Sequence, residues 1–368
     1  MIEWEINCKT IMDTKDISTL PIIKHRIDWI DVAKGIAILL VIVGHSSVPI
    51  LRGVIFSFHM PLFFILSCVT YKLSVNNNEF VEKTERAFIH LILPAIGIYF
   101  FRTVIKIVND WVMLNTYVQK FDLLALRDYL ANIINVFIVG SGVSVKIDCA
   151  TIDALGIPWF LLVLFCGRTL FDYLQLKLEK KRFYIAIAIC SIGGICFGKI
   201  QPLPLSFDIA LSIQPLFLFS CFLRTYDIEK ETLKKCIQYA ILFVGGVCII
   251  YLISHNYMEL AVRRYPIYPF CFICAIAGTL FLSSFSQIIL SLDRVSFPFK
   301  YIGKKTMKML WVHCFDQYFS FAYLLTSNGY INALIRVVVD ILVFVIVCEI
   351  ISRFRNIMIK RKCYNSLR

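Results

Sequence analysis

Asp31, Lys34 and His45 lie in one apolar stretch, DVAKGIAILLVIVGHS (31–46), and His59 follows in FSFHMPLFFILS (56–67). An imidazole can take a proton from a hydroxyl near neutral pH and return it. A carboxylate and an ammonium beside it can orient it or hold a charged substrate. Hydrocarbon penalises each of these groups unless something solvates it, so they are expected to face a bundle interior or a wet cavity.

Their spacing supports that expectation. At 100° per residue, Lys34 and His45 project from nearly the same helix face, about 16 Å apart along the axis, and Asp31 lies one turn before Lys34. The opposite face carries Ile36, Leu39 and Val43. His59 falls about five residues into a second helix, after the connection SSVPILRG, at a depth matching His45. Two imidazoles on adjacent antiparallel helices can share a cavity, and Pro61 frees the Ser57 carbonyl one turn earlier. Ser46, Ser57 and Ser67 form no recognisable nucleophile elbow, which favours direct attack by a substrate hydroxyl over a covalent serine intermediate. Blander roles stand beside these: a helix–helix hydrogen bond for His59, and a snorkelling ion pair for Asp31 and Lys34.

The elements that carry these residues are membrane helices. Of 368 residues, 59% are hydrophobic and 17% charged, and the mean hydropathy is +0.75. A soluble globule exposes more charge. Apolar runs predict an all-α, polytopic membrane helix bundle of about ten spans, near 30–48, 54–73, 87–108, 157–176, 183–200, 207–225, 237–254, 267–290, 306–326 and 331–352. The stretch 109–156 is the one long connection, and part of it suits an interfacial or re-entrant helix. Residues 1–29 are expected to be a cytoplasmic N-terminal segment, 30–352 the transmembrane domain and 353–368 a basic cytoplasmic tail. The net charge of +13 concentrates in alternate loops and the tail, as the positive-inside rule requires with both termini cytoplasmic. That distribution needs no nucleic acid. Residues 1–25 contain no apolar h-region, so no cleavable signal peptide is expected. The 14 cysteines are scattered, and Cys271 and Cys274 lack a second pair or a nearby histidine, so neither a metal site nor a disulfide framework is expected.

Other polar residues fall within apolar segments. Arg102 and Lys106 can meet an anionic acceptor or snorkel. Arg336 and Asp340 are four apart on the last helix and are expected to pair. His313 lies about seven residues into the ninth helix, and Asp316 is a candidate to orient it.

RIDWIDVAKGIAILLVIVGHS followed by FSFHMPLFFILSC closely resembles the start of membrane acyltransferases of the acyltransferase-3 family, nearest the branch of fucose 4-O-acetylases and related sugar O-acetylases. That family has a basic residue, ten intervening residues and a histidine, here Lys34 and His45. The preceding Asp and upstream Arg match Asp31 and Arg26. IPWFLLVLF resembles the Trp-Phe-Leu segment, at Trp159 and Phe160. YIGKKTMKMLWVH resembles the Gly-Lys-x-Thr stretch that ends in a histidine, at Gly303, Lys304, Thr306 and His313. Many members carry Arg-x-x-Arg in the third helix before a proline; here Arg86 and His90 precede Pro94 with different spacing, and Cys68 replaces the usual glycine.

The resemblance implies transfer of an acetyl or similar acyl group from acetyl-CoA (acyl-CoA), as co-substrate and with no bound cofactor, to a sugar hydroxyl of a surface polysaccharide or lipid-linked glycan. It implies a protein of the bacterial cytoplasmic (inner) membrane. His45 would be the general base, with His59 and Asp31 in the catalytic set. Lys34, Arg86 and His313 would serve the donor, and Arg102 and Trp159 the acceptor. The depth of His313 suits donor approach better than contact with His45. A transporter or flippase using the same stripe as a proton relay is the rival; a membrane anchor for a partner enzyme is a weaker third.

Overall fold

The computed structural model describes residues 27–46, 48–116, 133–147, 150–226, 228, 232–319 and 325–365, and they are mostly helical. Each of the ten expected spans is helical over most of its described residues. The helices are α1 (Asp28–Gly44), α2 (Pro49–Phe56), α3 (His59–Val69), α4 (Asn77–Ala87), α5 (Leu93–Thr116), α6 (133–139), α7 (Trp159–Lys177) and α8 (Lys180–Ile200). They continue with α9 (Phe207–Ser212), α10 (Gln214–Thr225), α11 (Leu233–Ser254), α12 (Phe270–Leu290), α13 (Asp293–Gly303), α14 (Thr306–Phe319) and α15 (Gly329–Asn365).

Among the described residues, six helical stretches are long and apolar enough to cross a membrane: Pro49–Val69, Asn77–Ile105, Trp159–Lys177, Lys180–Ile200, Leu233–Ser254 and Phe270–Leu290. Pro204–Ser212 with Gln214–Thr225, bent by 53°, makes a seventh if taken as one span. Pro215 begins α10 and cannot continue the ladder from α9, which accounts for the bend. The difference from ten lies in α1, α14 and α15; α1 has 17 residues and α14 is described over 14. Large apolar side chains such as Ile189, Ile241, Leu252 and Ile253 are exposed, a surface suited to lipid rather than water. The protein is an integral membrane protein.

Prolines also explain two breaks predicted as continuous helix. The second expected span is interrupted at Ser57–Phe58, where the ring of Pro61 would crowd the carbonyl of residue 57. A π-helical turn over Phe88–Ile92 precedes Pro94, with the Leu93 N–H reaching the Phe88 carbonyl, so the turn holding His90 is wider than α. The long connection contributes α6 and a hairpin, β1 (Val145–Ile147) against β2 (Ala150–Ile152), pairing Val145 with Ile152. Residues 117–132, most of the N-terminal segment and the last three residues of the basic tail lie outside the described residues.

The chain divides into two compact units. A split unit combines Asp28–Ile55 with Ile289–Arg368; a central unit contains Phe56–Ile288. In the split unit α1 and α13 meet backbone to backbone. A Cβ on Gly35 would lie 2.0 Å from the Phe299 carbonyl oxygen, and one on Gly303 1.7 Å from that of Asp31, so only glycine fits at either crossing point. Lys300 pairs with Asp28 along the same contact. α14 and α15 pack on each other and on α1.

The central unit ties its helix ends with ionised side chains. The buried Asp172 on α7 accepts from Tyr71 Oη at 2.8 Å and from the Ser74 N–H and hydroxyl, each at 2.7 Å. Arg224 donates to the carbonyls of Cys68 and Val69 at the end of α3. Arg263 grips Asp208 at 2.7 Å and also donates to Ser141 and Ser206.

Candidate active site

α1 ends at Gly44, and His45 occupies the turn just beyond it rather than the body of a helix continuing to residue 48. The chain folds the histidine back on its own helix. Its backbone N–H donates to Val41 O, and its ring Nδ1 lies 2.8 Å from the same oxygen. A carbonyl can only accept, so in the neutral ring Nδ1 carries the hydrogen and Nε2 carries the lone pair. That is the tautomer a general base requires.

His313 on α14 is fully buried, and its ring centroid lies 5.1 Å from that of His45, the planes inclined at 66°. This overturns the expectation that depth would keep His313 away from His45. Counting residues from an assumed membrane surface misjudged the depth, because α1 stops four residues before the expected end of its span. The His313 Nδ1 lies 3.1 Å from a carboxyl oxygen of Asp340 on α15, and an ionised Asp340 there selects the same tautomer as in His45. Its Nε2 is buried and, among the described residues, has no hydrogen-bond partner.

The remaining members link these helices. Arg336 donates through Nε to Asp316 at 2.6 Å and through a terminal nitrogen to the His45 carbonyl at 2.8 Å. Arg336 and Asp340, expected to bond each other on the helix surface, instead reach residues of neighbouring helices. Four residues advance 400° around a helix, so both point to one side of α15, and that side is covered. Asp340, rather than the expected Asp316, is the nearer carboxylate to His313: the Asp316 separation is 4.0 Å.

One nitrogen of His313 and one oxygen each of Asp316 and Asp340 lie within 4.8 Å of one another, spacing compatible with a metal ion. The Arg336 guanidinium already neutralises Asp316, and a cation there would compete with it. The donor set suits a hydrogen-bonded relay better.

The other expected site residues have distinct settings. Asp31 is buried, with its carbonyl against Gly303, and Lys34 is partly exposed. Ile36, Leu39 and Val43 are more exposed than Ala33, Ala37 and Val41, in line with the apolar outer face read from the sequence. The following residues belong to the central unit. His59 begins α3, buried, with its ring 4.8 Å from that of Phe56. Arg86 is exposed and paired with Glu82 one turn earlier. Arg102 donates to the carbonyls of Ala154 and Leu155, bracing the loop before α7. Trp159, at the start of α7, packs its indole so closely on Gly142 that a Cβ there would lie 2.5 Å away. The side chain of Lys106 lies outside the described residues.

The residues that sequence inspection undervalued are Asp340 and Arg336. Their signal was the same one that identified α1: charges recurring on one face of an apolar helix.

A family model described as an acyltransferase domain matches residues 27–353, which span both units. The chain belongs to the acyltransferase-3 family. No curated protein and no solved structure matches it. Family membership makes this a membrane acyltransferase, and the acyltransferase carries its paired histidines within the matched region.

Proposed function

We propose that this acyltransferase moves an acetyl or similar acyl group from acyl-CoA to a hydroxyl of a carbohydrate, either a surface polysaccharide or its lipid-linked precursor, in the bacterial cytoplasmic membrane. His45 is the general base. Its Nε2 accepts the acceptor's hydroxyl proton as the oxygen attacks the thioester carbonyl. The tetrahedral intermediate collapses, the C–S bond breaks, and the thiolate takes the proton back, leaving an ester and free CoA. The products balance with no other co-reactant.

The observation that carries this assignment is the donation from His45 Nδ1 to Val41 O, which leaves Nε2 as the basic nitrogen of a ring 5.1 Å from a second imidazole. Arg336, bonded to the His45 carbonyl, holds the turn that presents the ring. The resemblance of the first two helices to sugar O-acetylases supports the carbohydrate acceptor. Lys34, partly exposed on α1, suits the anionic groups of the donor.

The test is acetyl-CoA consumption by purified protein in nanodiscs, with glycan added. His45→Ala is expected to lower turnover by about 10²–10⁴-fold, the usual contribution of a general base, while the protein still inserts and elutes as a single species. Full transfer by the folded variant refutes the assignment. Movement of solute or protons without acetyl-CoA consumption would instead establish the relay transporter.

A further inference from the structure

The 11 residues of α13 rise about 16 Å, too little to cross a membrane. The helix starts three residues after the membrane-length α12 ends at Leu290, and it packs along α1, whose first turns carry Asp28 and Asp31. Bare backbone fixes which side of α13 faces α1. The Phe299 carbonyl lies against Gly35, and Gly303 lies against the Asp31 carbonyl. At 100° per residue, Ser296, Phe299, Lys300 and Gly303 occupy that side, and Arg294, Phe297, Pro298 and Tyr301 the opposite one. Ser296 and Gly303 are buried, whereas Arg294, Phe297 and Pro298 are exposed.

This outer face is aromatic and runs directly into a cluster of cations. Phe297, 69% exposed, stacks on Tyr301 with ring centroids 6.4 Å apart. The Lys305 ammonium lies 3.6 Å from the centroid of the Tyr301 ring. Leu292 and Val295 are exposed as well. Lys304 is exposed at the turn into α14, and Lys305 and Lys308 are half-buried. Lys300 is taken up by Asp28, but among the described residues Arg294, Lys304, Lys305 and Lys308 make no ion pair. Asp293 is the sole acidic residue from 291 to 308.

The combination is chemically specific. Water suits the ammonium groups and penalises the exposed Phe297; hydrocarbon does the reverse. A soluble polyphosphate would neutralise the lysines and leave the aromatic face bare. A phospholipid supplies both counterparts, a phosphate for the cations and acyl chains for the apolar side chains.

We infer that the outer face of α13 and the first turn of α14 bind an anionic phospholipid. Lys304, Lys305 and Lys308 hold its headgroup, and Phe297 and Tyr301 flank its acyl chains. This surface is separate from the histidine pair, and its occupant is independent of the acyl-transfer assignment.

The experiment uses the full-length protein in nanodiscs made from equal parts of phosphatidylcholine and phosphatidylglycerol. Native mass spectrometry counts the lipids that stay on the released protein. A basic residue at an anionic surface raises affinity about fivefold, so wild-type protein is expected to enrich phosphatidylglycerol about 25-fold or more through two or more lysines. Lys304→Gln should lower that ratio about fivefold, and Lys304→Gln with Lys308→Gln should bring it near parity. Phe297→Ser should lower retention of both lipids and leave their ratio unchanged. Lys181→Gln with Arg182→Gln removes the same charge from exposed positions on α8 and should leave the ratio as in wild type.

Equal retention of the two lipids by wild-type protein overturns the inference, as does an unchanged ratio in the folded lysine variants. An equal loss in the α8 control overturns it too, because net charge rather than a site would then select the lipid. A fall in binding of radiolabelled acetyl-CoA by the lysine pair, with the lipid ratio unchanged, would assign these cations to the donor's phosphates instead. The exposed single variant Lys304→Gln decides the matter should the double variant not fold.

Discussion

Asp172 in the central unit and Asp340 in the split unit are both buried aspartates on long helices, yet their surroundings differ in kind. Asp172 accepts three hydrogen bonds from Tyr71 and Ser74, all from residues that it locks in place. Asp340 faces one imidazole, whose other nitrogen has no partner among the described residues. The same contrast separates Arg263, which is taken up by Asp208, Ser141 and Ser206, from Arg336, which supports the turn of a histidine. A buried charge whose bonds all end in scaffold is a fastener. A buried charge whose chain of bonds ends in an unsatisfied atom points to chemistry.

That comparison predicts opposite consequences for the same substitution. Of the two aspartates, the larger effect on turnover is expected from Asp340→Asn, which keeps the shape but replaces the carboxyl oxygen that faces His313 Nδ1. Acetyl-CoA consumption should fall by about 10²-fold with little change in thermal midpoint, by analogy with general-base networks. An unimpaired Asp340→Asn would reduce the dyad to packing.

Asp172→Asn should show the reverse. Hydrogen bonds to a charged group are each worth about 1.5–3 kcal/mol, so losing the charge is expected to cost roughly 2–4 kcal/mol of stability. Thermal unfolding in detergent should detect this as a lower midpoint, while the folded fraction keeps its turnover per molecule. A selective loss of turnover at unchanged stability would erase the distinction between the two units.

The smallest effect sharpens the comparison at its surface. Arg86 and Glu82 are both more than half exposed, and an i, i+4 pair in that setting contributes about 0.3–0.5 kcal/mol. Arg86→Ala should therefore shift stability by no more than that. A large increase in its acetyl-CoA KM would instead make the exposed guanidinium a donor contact and show that exposure in this unit does not mean inertness.

The comparison also explains which parts of the molecule were legible beforehand. Long lipid-facing helices such as α8 and α11 were recognised because a run of about 20 apolar residues has few other uses. The stripe on α1 was recognised because charges in such a run are rare and helical periodicity is fixed. Gly303 was visible only as part of a resemblance; its close approach to Asp31 shows why no side chain fits there. The kink at Pro61 and the π turn before Pro94 follow from proline chemistry, but their exact form depends on how the freed carbonyls find partners.

The amino-acid sequence by itself determined that this is a helical integral membrane protein, that it resembles an acyltransferase family, and that Asp31, Lys34 and His45 fall within one apolar run. The first and last rest on local composition and the second on motif resemblance, which a chain carries wherever it folds. Tertiary structure alone decided that His313 meets His45 and that Asp340 and Arg336 serve neighbouring helices. The Arg336–His45 bond joins residues 291 positions apart, and only the packing of α1, α14 and α15 brings these residues together.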